Sequence, residues 1–514
     1  MAITIDLGAK GGTVSPLWFG HNLEHTRSCM WGGLAAQLIQ NRKFAGKPAR
    51  TGESPGWYRV GPADTFIAPD EKAAFTAHHS PATRGRYDEC MALVVQSCRD
   101  GVRSGVGQRD VALCGGRVYE FRLIARTDTR LAVTVAFTDA ARGRVHGTRT
   151  WTFAPGDWRT EEFNFTAAMD DAALLEISFE GAGTLTLGAV SLLPAGHVQG
   201  MRAEVIDMLR EIGTTILRWP GGNFAGDYRW QDGLMSADRR GSLQSFTPIE
   251  TLPHSYGYDH HEVGTDEFMT LCRMIGAEPF LSINLGHEGP EEAAAWVEYC
   301  NGGPGTAWGR RRAERGFPEP YNVKYWSVGN EMGYGHMEGP NSAAEYAQKA
   351  RACAEAMRAV DPSLVLIHSG LWHAENDWYR VALPKMADIV DCIADHYCTI
   401  PGITAYRGAE GLAQCRRAAA VPATVRERLK TIRALTDRFT PSGRRIGISF
   451  DEWNLWWAWY REPGVNEAIY TAGMLNLFVR EAASFGMDIG CYFEPVNEGA
   501  ILVTPAAARL TASG

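Results

Sequence analysis

The sequence predicts an α/β protein: a (β/α)8 TIM barrel interrupted near its start by an all-β sandwich. Three observations lead there. After Gly200, short apolar runs alternate with amphipathic helical stretches. Between 45 and 195 the hydrophobic period falls to two, and Gly, Asp and Pro turns part the runs. The opening stretch 13–20 supplies one more apolar run, cut off from the rest by that insert.

Residues 1-44 read as the N-terminal strand and first barrel unit, with Thr13-Val-Ser-Pro-Leu-Trp-Phe-Gly20 as strand one. Residues 45-195 read as the inserted sandwich. Leu131-Ala-Val-Thr-Val-Ala-Phe137 alternates large and small side chains, and Leu175-Glu-Ile-Ser-Phe-Glu180 alternates apolar with polar. Ala154-Pro-Gly-Asp157 and Gly181-Ala-Gly183 supply turns. Residues 196-514 complete the barrel. Val205, Ile206, Leu209 and Ile212 share one helical face, and Ser342-Ala-Ala-Glu345 is a capping box opening another helix. Seven strands follow at 215–219, 279–284, 323–329, 364–368, 392–397, 446–450 and 489–493. With strand one they make eight strand-helix units. A doubly wound open sheet is the competing arrangement, but no GxGxxG follows a strand and no P-loop is present.

A chain of 514 residues has room for a barrel and a second module. Its net charge of -8 argues against a nucleic-acid or membrane-surface partner. The 16 Trp and 17 Tyr suit carbohydrate surfaces as well as cores. Eleven Cys, scattered and without CxxC, read as reduced thiols. MAITIDLGAKGG has no basic stretch followed by an apolar core, and no uncharged apolar run approaches about 18 residues. The expectation is a cytoplasmic protein with no membrane partner.

In a barrel of this class the pocket forms at the C-terminal strand ends. There stand His21, Glu24 and His25 after strand one, and Arg218-Trp-Pro-Gly-Gly-Asn-Phe224 after strand two. Asn284 and His287 follow strand three, and Asn330-Glu331 strand four. His368 and Trp372 come with strand five, His396 and Tyr397 with strand six. Asp451-Glu-Trp-Asn454 ends strand seven and Glu494 strand eight. Paired carboxylates among aromatic walls suit glycosidic cleavage: one acid serves the leaving oxygen, one carboxylate the sugar carbon. Each residue has a plainer reading. A Glu after a strand can cap the next helix, Trp456-Trp-Ala-Trp-Tyr460 can be packing, and His368 and His396 singly read as structural. His21-Asn-Leu-Glu-His25 also spells the inverzincin His-x-x-Glu-His, which needs a helix and a third ligand. Here it follows SPLWFG, read as a strand, so no metal is expected.

The strand ends carry a resemblance. Val328-Gly-Asn-Glu-Met332 resembles the Asn-Glu acid/base motif of clan A retaining glycosidases. Ser449-Phe-Asp-Glu-Trp-Asn454 resembles the nucleophile motif of glycoside hydrolase family 51, the α-L-arabinofuranosidases. Leu217-Arg-Trp-Pro-Gly-Gly-Asn-Phe224, Tyr228-Arg-Trp-Gln-Asp232, Gly264-Thr-Asp-Glu-Phe-Met269 and Trp296-Val-Glu-Tyr-Cys-Asn301 fall in that family's order. The resemblance implies a retaining exo-hydrolase that releases terminal α-L-arabinofuranosyl residues from arabinan- or arabinoxylan-type oligosaccharides, without a cofactor. It makes Glu331 the general acid/base and Glu452 the nucleophile. It places Asn330 at the sugar's 2-hydroxyl, Glu24 on other hydroxyls, Arg218 on the carboxylates and Asn223 in the lining, and it offers Tyr397 as the nucleophile's hydrogen-bond donor. His287, Trp372, His396, Trp453 and Glu494 complete the expected substrate-binding set. The insert resembles the jelly-roll, carbohydrate-binding-like modules of some members, and the multimeric habit of relatives implies a homo-oligomer.

Two departures stand out. Relatives usually carry a β-sandwich after the barrel, where this sequence has only 496–514. The strand-eight position matched to a pocket Gln in the family reads Glu494. The competing readings are another clan A retaining glycosidase, such as a β-xylosidase or endo-β-glycanase, and a non-catalytic carbohydrate-binding protein.

Overall fold

Eight parallel strands close on themselves in the computed structural model, in chain order: Gly20–Asn22, Ile216–Trp219, Glu278–Ser282, Tyr325–Val328, Val365–His368, Cys392–Thr399, Gly447–Leu455 and Met487–Phe493. Pairing of the first strand with the last, His21 opposite Tyr492, shuts the barrel. The structure describes residues 13–25, 28–73, 75–77, 92–244, 257–333, 339–370, 378–399, 407–441, 443–455 and 463–514.

Strand periodicity divides the barrel into two cores. Ile216, Phe280, Ile367, Cys392, Ala394, Ile489 and Cys491 fill the inside. Leu217, Trp219, Leu281, Trp326, Leu366 and Ile393 face out against the helices. Each such side chain contributes about 1.5–3 kcal/mol on burial. Helix Ala343–Val360 begins at the expected capping box, with Ser342 Oγ accepting from Glu345 N at 3.2 Å and Glu345 Oε2 accepting from Ser342 N at 3.1 Å. Tyr346, Ala350, Cys353 and Met357 form its buried stripe.

Strand one is shorter than the expected 13–20. Ser15 Oγ accepts from Leu17 N, and Pro16 opens a 3-10 turn at Pro16–Trp18, so extended pairing starts only at Gly20. Proline's fixed φ and missing N–H suit the first position of such a turn better than a sheet. Strand seven is longer than expected and carries Asp451 and Glu452 within it.

Between the first and second barrel strands the chain builds two five-stranded antiparallel sheets. One runs Tyr58–Val60, Arg103–Leu113, Asp171–Glu180, Leu131–Thr138, Val145–Phe153; the other Phe66–Asp70, Ala92–Ser97, Gly183–Pro194, Val118–Thr127, Arg159–Thr166. Val106, Phe121, Val133, Phe137, Leu175 and Ile177 pack between them. Their root grips the barrel loop after strand two. Arg42 donates to Asp238 and Glu262 at 2.6 Å each, and Lys43 Nζ donates to the carbonyls of His260 (2.6 Å) and Arg240 (3.0 Å).

Candidate active site

Arg218 reaches inward from strand two as a fork. Its Nη1 donates to Glu452 Oε1 at 2.6 Å and its Nη2 to Asn330 Oδ1 at 2.5 Å. That contact assigns the Asn330 amide orientation. Asn330 Nδ2, buried, makes no hydrogen bond among the described residues. Glu331 follows immediately, at φ 43°, after Gly329 at φ 89°. The left-handed turn lifts its carboxyl off the strand and across to strand six. There His396 Nδ1 lies 2.8 Å from Glu331 Oε1 and 3.5 Å from Glu452 Oε2. One donor atom each from Glu331, His396 and Glu452 falls within 4.8 Å of the others. A cation could be held by such a trio, but Glu452 already accepts from Arg218 and the imidazole is engaged with Glu331.

Burial dominates the electrostatics. Burial pushes the Glu452 carboxyl above its ordinary value; His396 and Arg218 work against that, and Glu331 adds to it. For His396, burial alone would favour the neutral ring, but Glu452, Asp451 and Glu331 outweigh it and hold the imidazole well above its usual range. Arg218 is likewise driven up by Asp451, Glu452 and Glu24 against the cost of burial. The site is one coupled set of acids around two cations.

Glu24 follows strand one. Its Oε1 accepts from Gly222 N, and Asn22 Nδ2 donates to it at 3.3 Å. The glycine is dictated by space: a Cβ on Gly222 would overlap Glu24 Oε1 and come 2.9 Å from Glu452 Oε1. Gly222→Ala should therefore lower kcat/KM by about 10²-fold or more, because ångström-scale displacement of reacting groups costs that much. The check is steady-state kinetics beside an unchanged melting curve; retention of full activity would show that Glu24 and Glu452 do not need their present spacing.

The other expected residues are distributed unevenly. His287 sits beyond strand three, 3.4 Å from Asp227, and its backbone N donates to Asn284 Oδ1 at 2.9 Å. Asn223 opens the short helical turn Asn223–Gly226 next to Gly222. Tyr397 and Trp453 do not face the pocket. Tyr397 packs under the Arg428 guanidinium, 5.4 Å from its ring centre, and Trp453 packs on Phe478 and Tyr492 at 5.4 and 5.0 Å. Alternation along the strands explains both: with His396 and Glu452 turned inward, the next residues turn out. The contact expected of Tyr397 with Glu452 is made by His396.

Glu494 is fully buried at the end of strand eight, beside Cys29, whose thiol is pushed well up by burial and then by Glu494. His21 also points outward, hydrogen-bonded with Thr214 Oγ1 at 3.0 Å. Trp372 and the aromatic stretch 456–460 lie outside the described residues.

Two residues that the sequence placed at strand ends, without giving them a role in the chemistry, take part in the site. Asp451, fully buried, lies 3.7 Å from Arg218 Nε and 3.1 Å from His396 Nε2. His25 is a buried connector: its Nε2 accepts from Trp219 Nε1 at 2.8 Å, which leaves Nδ1–H to donate to Asp259 Oδ2 at 2.7 Å. Its ring stacks on Phe224 at 4.7 Å. The histidines of the zinc-like motif thus point to different partners.

A family model described as "Alpha-L-arabinofuranosidase 1 domain" matches residues 208–404. The thermostable GH51 α-L-arabinofuranosidase of Thermotoga petrophila RKU-1 superposes with a TM-score of 0.54 at 30% identity, covering 61% of this chain and 62% of that one. The barrel of this chain resembles those of glycoside hydrolase family 51. "Probable alpha-L-arabinofuranosidase C" of Aspergillus fumigatus and the "Intracellular exo-alpha-(1->5)-L-arabinofuranosidase" of Halalkalibacterium halodurans are each 32% identical over 335 residues, 60% of this chain. The chain spans 63% of the length of each. Likeness to the family 51 structure of arabinose-bound MgGH51 extends over 95% of the chain at a TM-score of 0.68; at 17% identity it speaks for the fold alone.

Proposed function

We propose that the chain is a retaining exo-glycoside hydrolase that releases terminal α-L-arabinofuranosyl residues from arabinan- or arabinoxylan-type oligosaccharides. The observation that carries this reading is the pairing of Glu331 and Glu452, with carboxylate oxygens within 4.8 Å across His396. Retaining pairs stand about 5–5.5 Å apart between carboxyl groups, whereas inverting pairs need about 6.5–9.5 Å to admit a water.

Glu452, kept ionised by Arg218 and His396, attacks the anomeric carbon. The carbon–oxygen bond to the leaving group breaks, and Glu331 delivers its proton to the departing oxygen. The resulting glycosyl ester is resolved by water. Glu331 takes the water's proton, the water oxygen bonds the anomeric carbon and the Glu452 carboxylate leaves. Asn330 Nδ2, with its carbonyl oxygen committed to Arg218, is free to donate to the hydroxyl next to the reacting carbon. Such a bond strengthens as the ring flattens towards the transition state. Glu24 accepts from the remaining hydroxyls.

The deciding experiment sets 4-nitrophenyl α-L-arabinofuranoside beside β-D-xylopyranoside and other pyranosides, and follows the first-formed anomer by proton NMR. Preferred cleavage of the arabinofuranoside with α-arabinofuranose appearing first is expected. A preference for xylopyranoside would move the chain to another retaining activity of the clan, and first-formed β-anomer would overturn the retaining mechanism. The word intracellular in the name of the Halalkalibacterium halodurans relative supports a cytoplasmic place of action.

A further inference from the structure

Asp451 presents a physical puzzle. Its carboxylate is fully buried, yet neither oxygen accepts an aligned hydrogen bond from any described residue. A buried carboxylate in that condition is costly, and a purely structural position would be better filled by an apolar side chain or by an acid with backbone N–H donors. Its compensation is electrostatic: Arg218 Nε at 3.7 Å and His396 Nε2 at 3.1 Å.

Its placement requires a deliberate irregularity. Phe450 and Trp453 both pack outward on Phe478, at 6.0 and 5.4 Å. Three steps separate two outward residues where alternation allows two or four, and the pairing with strand eight shifts register there. The extra residue turns Asp451 and Glu452 to the inside together. One carboxylate then sits at the pocket surface and the other beneath it.

The imidazole of His396 lies between them. Nδ1 faces Glu331 at 2.8 Å and Glu452 at 3.5 Å, while Nε2 faces Asp451. Both nitrogens thus face carboxyl groups, a setting that a ring with N–H on both sides suits when Asp451 and Glu452 are ionised. The other charges nearby are Arg218, which bonds Glu452, and Asp395 on the same strand, which is paired in bidentate fashion with Arg428 at 2.6 Å. Glu24 acts on Arg218 from the strand-one side.

We infer that Asp451 is a positioning residue for the reaction: from beneath the pocket it orients Arg218 and keeps His396 doubly protonated between Glu331 and Glu452. The imidazolium then holds Glu452 ionised while it leaves the remaining cluster proton to Glu331. This inference rests on the acid/base and nucleophile roles proposed above.

The test is Asp451→Asn in the full chain, which keeps shape and removes charge. Taking away an anion makes the cluster release its protons at lower pH. The alkaline limb of the kcat/KM profile on 4-nitrophenyl α-L-arabinofuranoside should move to lower pH by about one pH unit or more, as expected for a charge within about 4–6 Å. On a His396→Gln background the same substitution should leave the limb where it is. A fall in kcat with an unmoved limb would reduce Asp451 to a structural part. The 15N NMR titration of His396 in the wild-type protein needs neither turnover nor a folded variant. A doubly protonated ring at pH 7 is expected, and a neutral ring there overturns the inference. Lack of wild-type hydrolysis of every glycoside tried would instead sink the proposed function, with the titration still deciding the role of Asp451.

Discussion

Glu452→Ala is expected to reduce turnover to background, while Glu331→Ala is expected to keep a residual activity that azide raises. The two carboxyls differ in what they touch. Glu452 is buried and tied to Arg218 at 2.6 Å, so its loss removes the group placed to form the glycosyl ester. Glu331 stands nearer the opening and supplies only the proton, an assistance worth about 10²–10⁴-fold. A substrate such as a 4-nitrophenyl glycoside leaves without that help, so Glu331→Ala should form the ester and then stall. Azide, being a nucleophile that needs no general base, should resolve it and yield the arabinosyl azide with retained configuration. Both variants should fold, because Arg218 keeps Asp451 as a counter-charge and His396 keeps at least two of its three carboxylates. Equal loss in both, with no rescue in either, would mean that the roles are not divided this way.

The strand-helix alternation was legible because parallel barrel strands are short, apolar and set apart by helices with clear starts. All seven later strands lie where the apolar runs are, and the helix at Ala343–Val360 begins at the capping box visible in the sequence. The first strand was less legible. Its apolar letters extend over 13–20, but Ser15 and Pro16 fold them into a turn, a local preference that outweighs the apolar pattern. In the inserted sheets single strands could be read from their alternation. Their order could not, since the pairing of Asp171–Glu180 with both Arg103–Leu113 and Leu131–Thr138 depends on contacts distant in sequence.

The candidate site shows the same division. Residues at or just past the strand ends expected from the sequence, such as Arg218, Asn330, Glu331 and Glu452, do converge. What failed was the direction of side chains inside a strand. Trp453 and Tyr397 follow pocket residues in the sequence, so proximity along the chain suggested proximity to the sugar; one step of a strand turns a side chain to the opposite face. Asp451 was named at its strand end but given no role, for the converse reason. Alternation alone does not put two consecutive residues in one pocket, and only the register shift beside Phe450 does so. His25 could not be understood without Asp259, which lies 234 positions away in the chain.

A steep loss of stability between about pH 6.5 and pH 4 is the second large effect expected. Three histidines are held neutral in the folded protein. Burial lowers His21 to about 4 and His368 to about 3, and burial together with the charge of Lys43 lowers His260 to about 3. In the unfolded chain each titrates near the ordinary 6.5. A base whose folded value is depressed contributes stability that is complete above 6.5 and lost as pH falls towards the folded value, because the unfolded state takes up the proton first. At pH 5 each costs about 2 kcal/mol relative to pH 8, or about 6 kcal/mol for the three, against a typical total of about 5–15 kcal/mol. Asp238 adds to the trend: burial would raise it, but Arg42 and Arg122 hold it below the carboxylate range, so its contribution is lost at still lower pH. His396 has the opposite sign, being raised, and its contribution is lost only as pH climbs through its folded value. His368 isolates the effect. Neither ring nitrogen has a partner among the described residues, and the ring meets Tyr346 edge-on at 4.8 Å, so an apolar replacement sacrifices no hydrogen bond there. His368→Leu should therefore narrow the gap between melting temperatures at pH 8 and pH 5, with most of the gain at pH 5. An equal change at both pH values would mean that the ring is not held neutral by its burial.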